Sequence, residues 1–416
     1  MRYFTTFWVG ALLVCSAAAQ VPVATAVQIA KAEDSRTYDA KLEALMANPN
    51  ADTRKRAALA AGRIGDKAAV GVLAGLVDKD LSDDVRVMAM FAIGEIESID
   101  GAAAVVGVLD DVKASASLRA RAIEAAGKIA AANVAHDDAK QLGMAIISAL
   151  RAEDKRASPY ENVVRLGLTA LLRAKPPGAD DTAKPFLKHP SSAVVADALN
   201  TLGRLRSREV NIEARQLLKN SGDPLVRAGA ARVLGAAEAR AMVPELLAAA
   251  TGDADQRVRV TAIRALSGNR DQATAERLIE YGVKLVTEME KRPKRAAGLP
   301  VEKSELLEIA AAIGRMLPNS EHGEALLFLS KFRANDALVS AEAEVARAQI
   351  DPRRYAQSDI AKEGGYANWK MASAYAQGMA VVASGRDEKL KLEAGEKLRS
   401  FVAGMVTGVK PRDQAK

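Results

Sequence analysis

The chain has 416 residues, a net charge of +7, 4% aromatic residues and one cysteine. Its length alone admits two or three ordinary domains. Alanine is abundant, however, and Gly and Pro fall mainly between periodic segments, which is the composition of short helices packed on small side chains rather than of one large aromatic core. The moderate basic excess is compatible with an acidic partner or an anionic surface and selects neither.

At the N-terminus, Arg2 precedes an apolar run over residues 4–14, and Ser16, Ala17, Ala18 and Ala19 follow. This order predicts a signal peptide over residues 1–19, cut before Gln20, and therefore an exported chain, periplasmic or extracellular. The run is too short to span a bilayer, and no later run reaches the roughly 18 apolar residues of a transmembrane helix. Val14 ahead of Cys15 departs from a lipoprotein signal. With Cys15 removed, the mature chain is expected to form no disulfide and no thiolate site.

A phrase then recurs. It reads TRKRAALAAGRIG at 53–65, VRVMAMFAIGEI at 85–96 and LRARAIEAAGKI at 118–129, and returns as VVADALNTLGRL at 194–205 and VRAGAARVLGAA at 226–237. Degraded copies begin at Val164, Val258, Glu305, Ala337 and Asn368. Marking each copy at its usual Arg gives Arg54, Arg86, Arg119, Arg165, Val195, Arg227, Arg259, Leu306, Leu338 and Lys370, with steps of 32, 33, 46, 30, 32, 32, 47, 32 and 32 residues. Such a period means stacked repeats. The fold predicted is all-α, a right-handed solenoid of about ten helix pairs, with the array over residues 30–352 and degenerate repeats and a tail over 353–416.

Each unit reads as two antiparallel helices. Over residues 67–80, Val70, Leu73, Leu76 and Val77 form one helical stripe. Ser82, Asp83 and Asp84 then offer capping oxygens to a second helix at 85–96. Pro244 suits a first helical turn and Gly252 a helix end. The long interval at 131–162 predicts a lengthened first helix or a loop. The long interval containing Pro293, Gly298 and Pro300 predicts a loop over 288–304, and Pro176, Pro177 and Gly178 predict another.

The phrase D-x-x-V-R-x-x-A-x-x-A-L-G-x-I, seen in Asp83-Asp84-Val85-Arg86 through Gly94-Glu95-Ile96 and again from Asp223 to Gly235, resembles the bacterial HEAT-like repeat. The resemblance implies a protein-binding scaffold whose second helices line the inner curve. More narrowly, residues 30–66 followed by FAIGEIES at 91–98 are similar to the opening of a bacterial secreted family that carries HEAT repeats ahead of a cyclophilin-type peptidyl-prolyl isomerase domain. Nothing after Ile350 in this sequence has the strand-rich, glycine-rich pattern of that domain, so isomerase activity is not transferred to this chain.

The Arg at the register mark with an Asp shortly before it, as in Asp52/Arg54, Asp84/Arg86, Asp223/Arg227 and Asp255/Arg259, reads as a structural tie: the Asp caps the second helix and the Arg reaches a neighbouring Asp or carbonyl. His136, His189 and His322 are far apart and without metal-ligand spacing. No Walker A loop, nucleophile elbow or dinucleotide fingerprint occurs. No catalytic residue, cofactor site or metal site is expected.

Positions two, five and nine after each register mark share one helix face. On it fall Arg56, Arg63, Arg121, Lys128, Arg204, Arg232, Arg264, Arg315 and Arg347, interrupted by Glu95, Glu124, Asp197 and Glu308, with Met88 and Phe91 as a small apolar spot. This stripe is the candidate partner-binding face, and a generic solvated face has the same composition. The expected partner is a protein, in particular an acidic segment. Nucleic acid is not expected, since the face lacks interleaved aromatics and EKRPKR at 290–295 reads as a solvated loop. The competing reading is the substrate-holding arm of a peptidyl-prolyl isomerase system whose cyclophilin domain is missing or separately encoded.

Overall fold

The computed structural model describes residues 21–207, 209–236, 240–291, 302–358 and 369–408. The expected signal peptide and most of the loop expected at 288–304 lie outside these residues. Among the described residues there is no strand. No helix among them is long and apolar enough to cross a membrane. The chain divides into two compact units, Met1–Pro185 and Phe186–Lys416.

The first unit contains α1 (Val23–Asp34), α2 (Ala40–Met46), α3 (Ala51–Ile64), α4 (Val70–Lys79), α5 (Asp83–Ile96), α6 (Ala102–Asp110), α7 (Ala116–Ala132), α8 (Asp137–Asp154), α9 (Glu161–Ala174) and α10 (Ala179–Ala183). Its pairs are α2 with α3, α4 with α5, α6 with α7 and α8 with α9. The recurring phrase forms α3, α5, α7 and α9, which pack side by side, and α1 extends that row.

The second unit contains α11 (Ser192–Leu205), α12 (Asn211–Asn220), α13 (Pro224–Ala236), α14 (Val243–Gly252), α15 (Gln256–Leu266), α16 (Gln272–Glu290), α17 (Lys303–Met316), α18 (Gly323–Ala334), α19 (Ala341–Ile350), α20 (Pro352–Gln357), α21 (Trp369–Ala383) and α22 (Glu388–Gly408). Here α11, α13, α15, α17, α19 and α21 form the row. Thus both units are stacks of helix pairs, the all-α solenoid architecture that the period implies.

The row is held by small residues. A Cβ placed on Gly62 would meet Ala92 Cα at 2.7 Å, one on Gly94 would meet Ala125 Cα at 3.0 Å, and one on Gly127 would meet Ala170 Cα at 2.6 Å. In the second unit, Gly235 stands in the same relation to Ala265 Cα and Gly314 to Ala346 Cα, each at 2.7 Å. At these steps successive second helices therefore touch backbone to backbone. The first helices α2 and α4 are spaced more openly: a groove of about 570 Å³ separates them, lined by Ala44, Met46, Val72, Gly75 and Leu76. On α4 the expected stripe packs through Val70, Leu73 and Val77, all buried, with Leu76 half-buried at the groove.

The long intervals are resolved as lengthened first helices: α8 has 18 residues and α16 has 19. Helix α16 continues to Glu290, so residues 288–290, expected in the loop, are helical. Pro244 lies in the first turn of α14, and Gly252 is the last residue of that helix. The capping expectation needs correction. Ser82 stands at the N-cap of α5 without a side-chain hydrogen bond, and Asp83 and Asp84 lie within the first turn. For α3 the cap is Asn50, whose side chain accepts from Thr53 N, rather than Asp52. Asp255 does cap α15, accepting from Arg257 N.

Two register marks also need correction. Ala92, Ala125 and Ala265 each lie six residues after their marks. By the same contact, Ala170 sets the mark of α9 at Val164, one residue early, and Ala346 sets that of α19 at Ser340, two residues late. Each residue of slip turns a side chain by about 100° around the helix. Accordingly Gly167, Ala170 and Ala343, expected on the shared face, are buried. So are Ala372, Tyr375 and Met379 of α21.

Gly127→Ala is expected to lower stability by about 1–3 kcal/mol, because α7 and α9 must separate. Gly71→Ala on α4, where an added Cβ meets nothing within 4 Å, is expected to raise it by about 0.5–1 kcal/mol. Urea unfolding of the two variants reads the difference, and equal effects would contradict backbone-to-backbone packing of the row.

Candidate functional site

Two sets of charged residues run along the row of each unit, and they do different things. The first begins with the Arg at the register mark. Arg54 Nε and Nη2 donate to Asp80 at 2.7 and 2.8 Å, and its Nη1 donates to the carbonyls of Asn48 and Pro49. Arg227 repeats the arrangement with Asp253, at 2.8 Å for both bonds, and with the carbonyls of Ser221 and Gly222. Arg259 holds Glu305 at 2.9 and 2.7 Å, with the carbonyls of Asp253 and Ala254. Asp80 and Asp253 each sit at the C-terminal cap of the following first helix. Each such Arg therefore ties one repeat to the next through a charge-assisted, two-pronged bond. The Arg54 hydrogen bonds hold the Asp80 carboxyl below the usual aspartate range, and those of Arg227 do the same for Asp253. The partners lie 26 residues downstream of the Arg, not in the Asp just before it. Asp84 instead pairs with Lys55.

At α7 the link differs. Arg119 stands 3.7 Å from Glu153, which accepts a hydrogen bond from Tyr160 N, and the guanidinium lies 5.2 Å from the centre of the Tyr160 ring. The lengthened α8 ends in Glu153–Asp154 where shorter first helices end near an Asp, so a longer side chain reaches back from a different point.

The second set lies on the open face of the row. In the first unit Arg56 holds Glu33 of α1 through two bonds of 2.8 and 2.5 Å, and Arg63 reaches the same carboxylate at 3.3 Å. Chiefly through the Arg56 bonds, the Glu33 carboxyl is held below its ordinary value. Lys128 contacts Glu95 at 2.5 Å and Glu124 at 2.9 Å, and Arg121 contacts Glu124 at 2.7 Å. Burial pushes the Glu124 carboxyl up, but the bonds from Lys128 and Arg121 outweigh it and leave the value lowered. Both cations flank half-buried Phe91, 5.1 and 5.3 Å from its ring centre, a distance at which the ring's negative face attracts them. Met88 is half-buried one turn away on the same helix.

The structure thus brings Arg56 and Arg63 together, and Phe91, Arg121 and Lys128 together. It also shows what the sequence pattern missed: Glu33 belongs to no repeat phrase, so register arithmetic had no means of placing it. The basic stripe is, in the first unit, a mixed ladder of paired charges.

In the second unit Arg264 binds Glu308 through bonds of 3.1 and 2.6 Å, and Arg315 lies 3.6 Å from that carboxylate. Arg204 and Arg232 are exposed. Arg347 is a correction. The two-residue slip of α19 turns it away from the others, toward the first helices, where it lies 3.9 Å from buried Glu344. Glu344 is gripped there by Arg333 at 2.7 and 2.6 Å and by Tyr355 Oη at 2.7 Å. Arg347 is therefore part of a buried structural cluster.

Comparison with known proteins agrees with this geometry for one segment: residues 213–283, running from α12 into α16, match the family of HEAT repeats. The chain is a helical-repeat protein, and residues 213–283 of its second unit are similar to HEAT repeats. No curated protein matches the sequence. Among solved structures, YibA of E. coli is similar at 18% identity, with 71% of this chain and 98% of that one covered and a TM-score of 0.49. The CpcE–CpcF complex of phycocyanin lyase from Nostoc gives 17% identity, 70% and 92% coverage and a TM-score of 0.34. Human deoxyhypusine hydroxylase gives 18% identity, 58% and 97% coverage and a TM-score of 0.26.

Because the folded Asp80 and Asp253 carboxyls titrate below the ordinary value of 3.8, their contribution to stability is complete above that value. It is lost as pH falls through the lower, folded one. Stability measured by urea unfolding should fall below about pH 4, and Asp253→Asn should flatten that fall while costing about 2 kcal/mol at neutral pH. An unchanged acid limb in the variant would refute the tie.

Lys128→Glu and Arg63→Glu should also separate. Lys128 has a side chain 12% exposed and two carboxylate partners, and Arg63 is 58% exposed. Reversal at Lys128 is expected to lower the melting temperature by several degrees, and reversal at Arg63 by little. Equal melting curves would mean that the Lys128 pairs carry no stability.

Proposed function

We propose that this chain is a non-enzymatic scaffold that is exported to the cell envelope or periplasm and binds another protein along the open face of its second helices. The observation that carries the reading is Phe91. A half-buried aromatic ring stands beside Met88 on a face otherwise made of charged side chains, and paired charges surround it. An aromatic anchor ringed by polar groups is the usual make-up of a binding hot spot. The carboxylates of this face are held in their ionised form by Arg and Lys partners, which suits recognition and not proton transfer near neutral pH. HEAT repeats supply a regular surface on which one extended partner meets several equivalent helices.

A photo-crosslinking residue at position 91, compared with one at exposed Gly71 on α4, tests the reading in cells. Adducts with a defined protein at 91 and not at 71 are expected, and Phe91→Ala is expected to speed dissociation of that protein. Adducts formed from position 71 alone would move the binding surface to the first helices and end the proposal.

A further inference from the structure

The two units differ in how the charges of the open face are balanced, and the difference points to where an acidic segment is read. In the first unit, Arg56, Arg63, Arg121 and Lys128 face Glu33, Glu95 and Glu124, four cations against three carboxylates in direct contact with them. In the second unit, Arg204, Arg232, Arg264 and Arg315 lie on the corresponding face of α11, α13, α15 and α17, where Asp197 and Glu308 are the carboxylates. Asp197 is itself partnered. Glu308 is taken by the two bonds from Arg264, leaving Arg315 at 3.6 Å and 46% exposed. Among the described residues no ion pair engages Arg204 or Arg232, and both are exposed.

We propose that the open face of α11, α13, α15 and α17 binds an extended, acidic segment of a partner protein, with Arg204, Arg232 and Arg315 as the residues that read its carboxylates. This rests on the protein-binding reading above and adds the chemistry of the partner and the part of the chain that recognises it. Neighbouring helices of a row lie about 8–10 Å apart, so three steps cover roughly 24–30 Å, the span of about nine extended residues. Acidic side chains at about every third position then meet one helix each. A guanidinium can bind a carboxylate through two parallel bonds, and these three have donors not committed to the two-pronged bonds seen elsewhere. The positions between them are Asn200, Ala236, Thr261 and Ala311, which offer no ring on which a nucleobase could stack, so a peptide is favoured over a single nucleic-acid strand.

The test uses the full chain and a fluorescein-labelled peptide of about ten residues with Glu at every third position and Gly, Ser or Ala between. Its counterpart carries Gln in place of Glu. The acidic peptide is expected to bind at low salt and the Gln peptide not to bind. Arg204→Gln and Arg232→Gln should each weaken binding about threefold, and the double variant should also flatten its salt dependence. Glu308→Gln should strengthen binding, because it releases Arg264 and Arg315 together. A merely structural role for Glu308 would lower the melting temperature without that gain. Unchanged affinity in the double variant, or tighter capture of a single-stranded oligonucleotide than of the acidic peptide, overturns the proposal. Crosslinks from position 91 persisting while the peptide arm fails would leave the scaffold standing and remove only the acidic partner. Failure of both arms would remove the scaffold reading as well.

Discussion

Glycine against alanine is the contact on which each unit depends. Where Gly62 meets Ala92, Gly94 meets Ala125 and Gly127 meets Ala170, one helix backbone lies on the next, and a single Cβ would not fit. This closeness explains the composition. Alanines such as Ala57, Ala58, Ala60 and Ala61 fill the interior because larger side chains would hold the helices apart. The bulk that a core still needs comes from both helices of a pair, from Leu73, Val105, Leu142 and Leu150 on the first helices and from Met90, Ile93, Ile123 and Ile129 on the second. Each pair is thus asymmetric, with a thin side toward its neighbour in the row and a thick side toward its own partner.

That asymmetry separates the roles of the charged residues. Several charges near the start of a second helix become ties: Arg54 to Asp80 and Arg227 to Asp253 at the end of the next first helix, and Arg259 to Glu305 in the first turn of the next second helix. Charges farther along the same helix point to the side that no first helix covers. There they pair laterally, as Lys128 with Glu95, or stay exposed, as Arg204. One helix therefore carries both a repeat-to-repeat fastening and an open charged face, divided by position along its axis.

The repeat was legible because its strongest constraint is steric and local. At its closest the backbone contact leaves room only for Gly and Ala, so the phrase survives at 53–65, 85–96 and 118–129 with little change. The face was legible where the contact kept its register and was lost where it did not, as at Arg347, because a slip of two residues turns a side chain to the far side of the helix. The carboxylate partners were harder to see. Asp80 and Asp253 stand 26 residues from their Arg, and Glu33 stands on a helix with no phrase at all. Pairing across repeats is a property of the stack, and a single repeat carries only half of it. The lengthened α8 and α16 were visible as longer steps, while their helical form was not, since extra residues fit a helix or a loop equally well.

The groove between α2 and α4 has a mechanical consequence. Within a stack, the Gly–Ala contacts are already at minimum distance and contain no side chain that can change rotamer, so the row of second helices cannot shorten and resists stretching. At α2 and α4 the first helices have open space between them. When a stack flexes, the change in spacing must therefore be taken up on the first-helix side, with the row acting as the neutral line of a bent beam. A partner lying along the row would meet the same pitch however the stack bends, so the open face behaves as a ruler. A partner inserted between first helices would instead sense curvature.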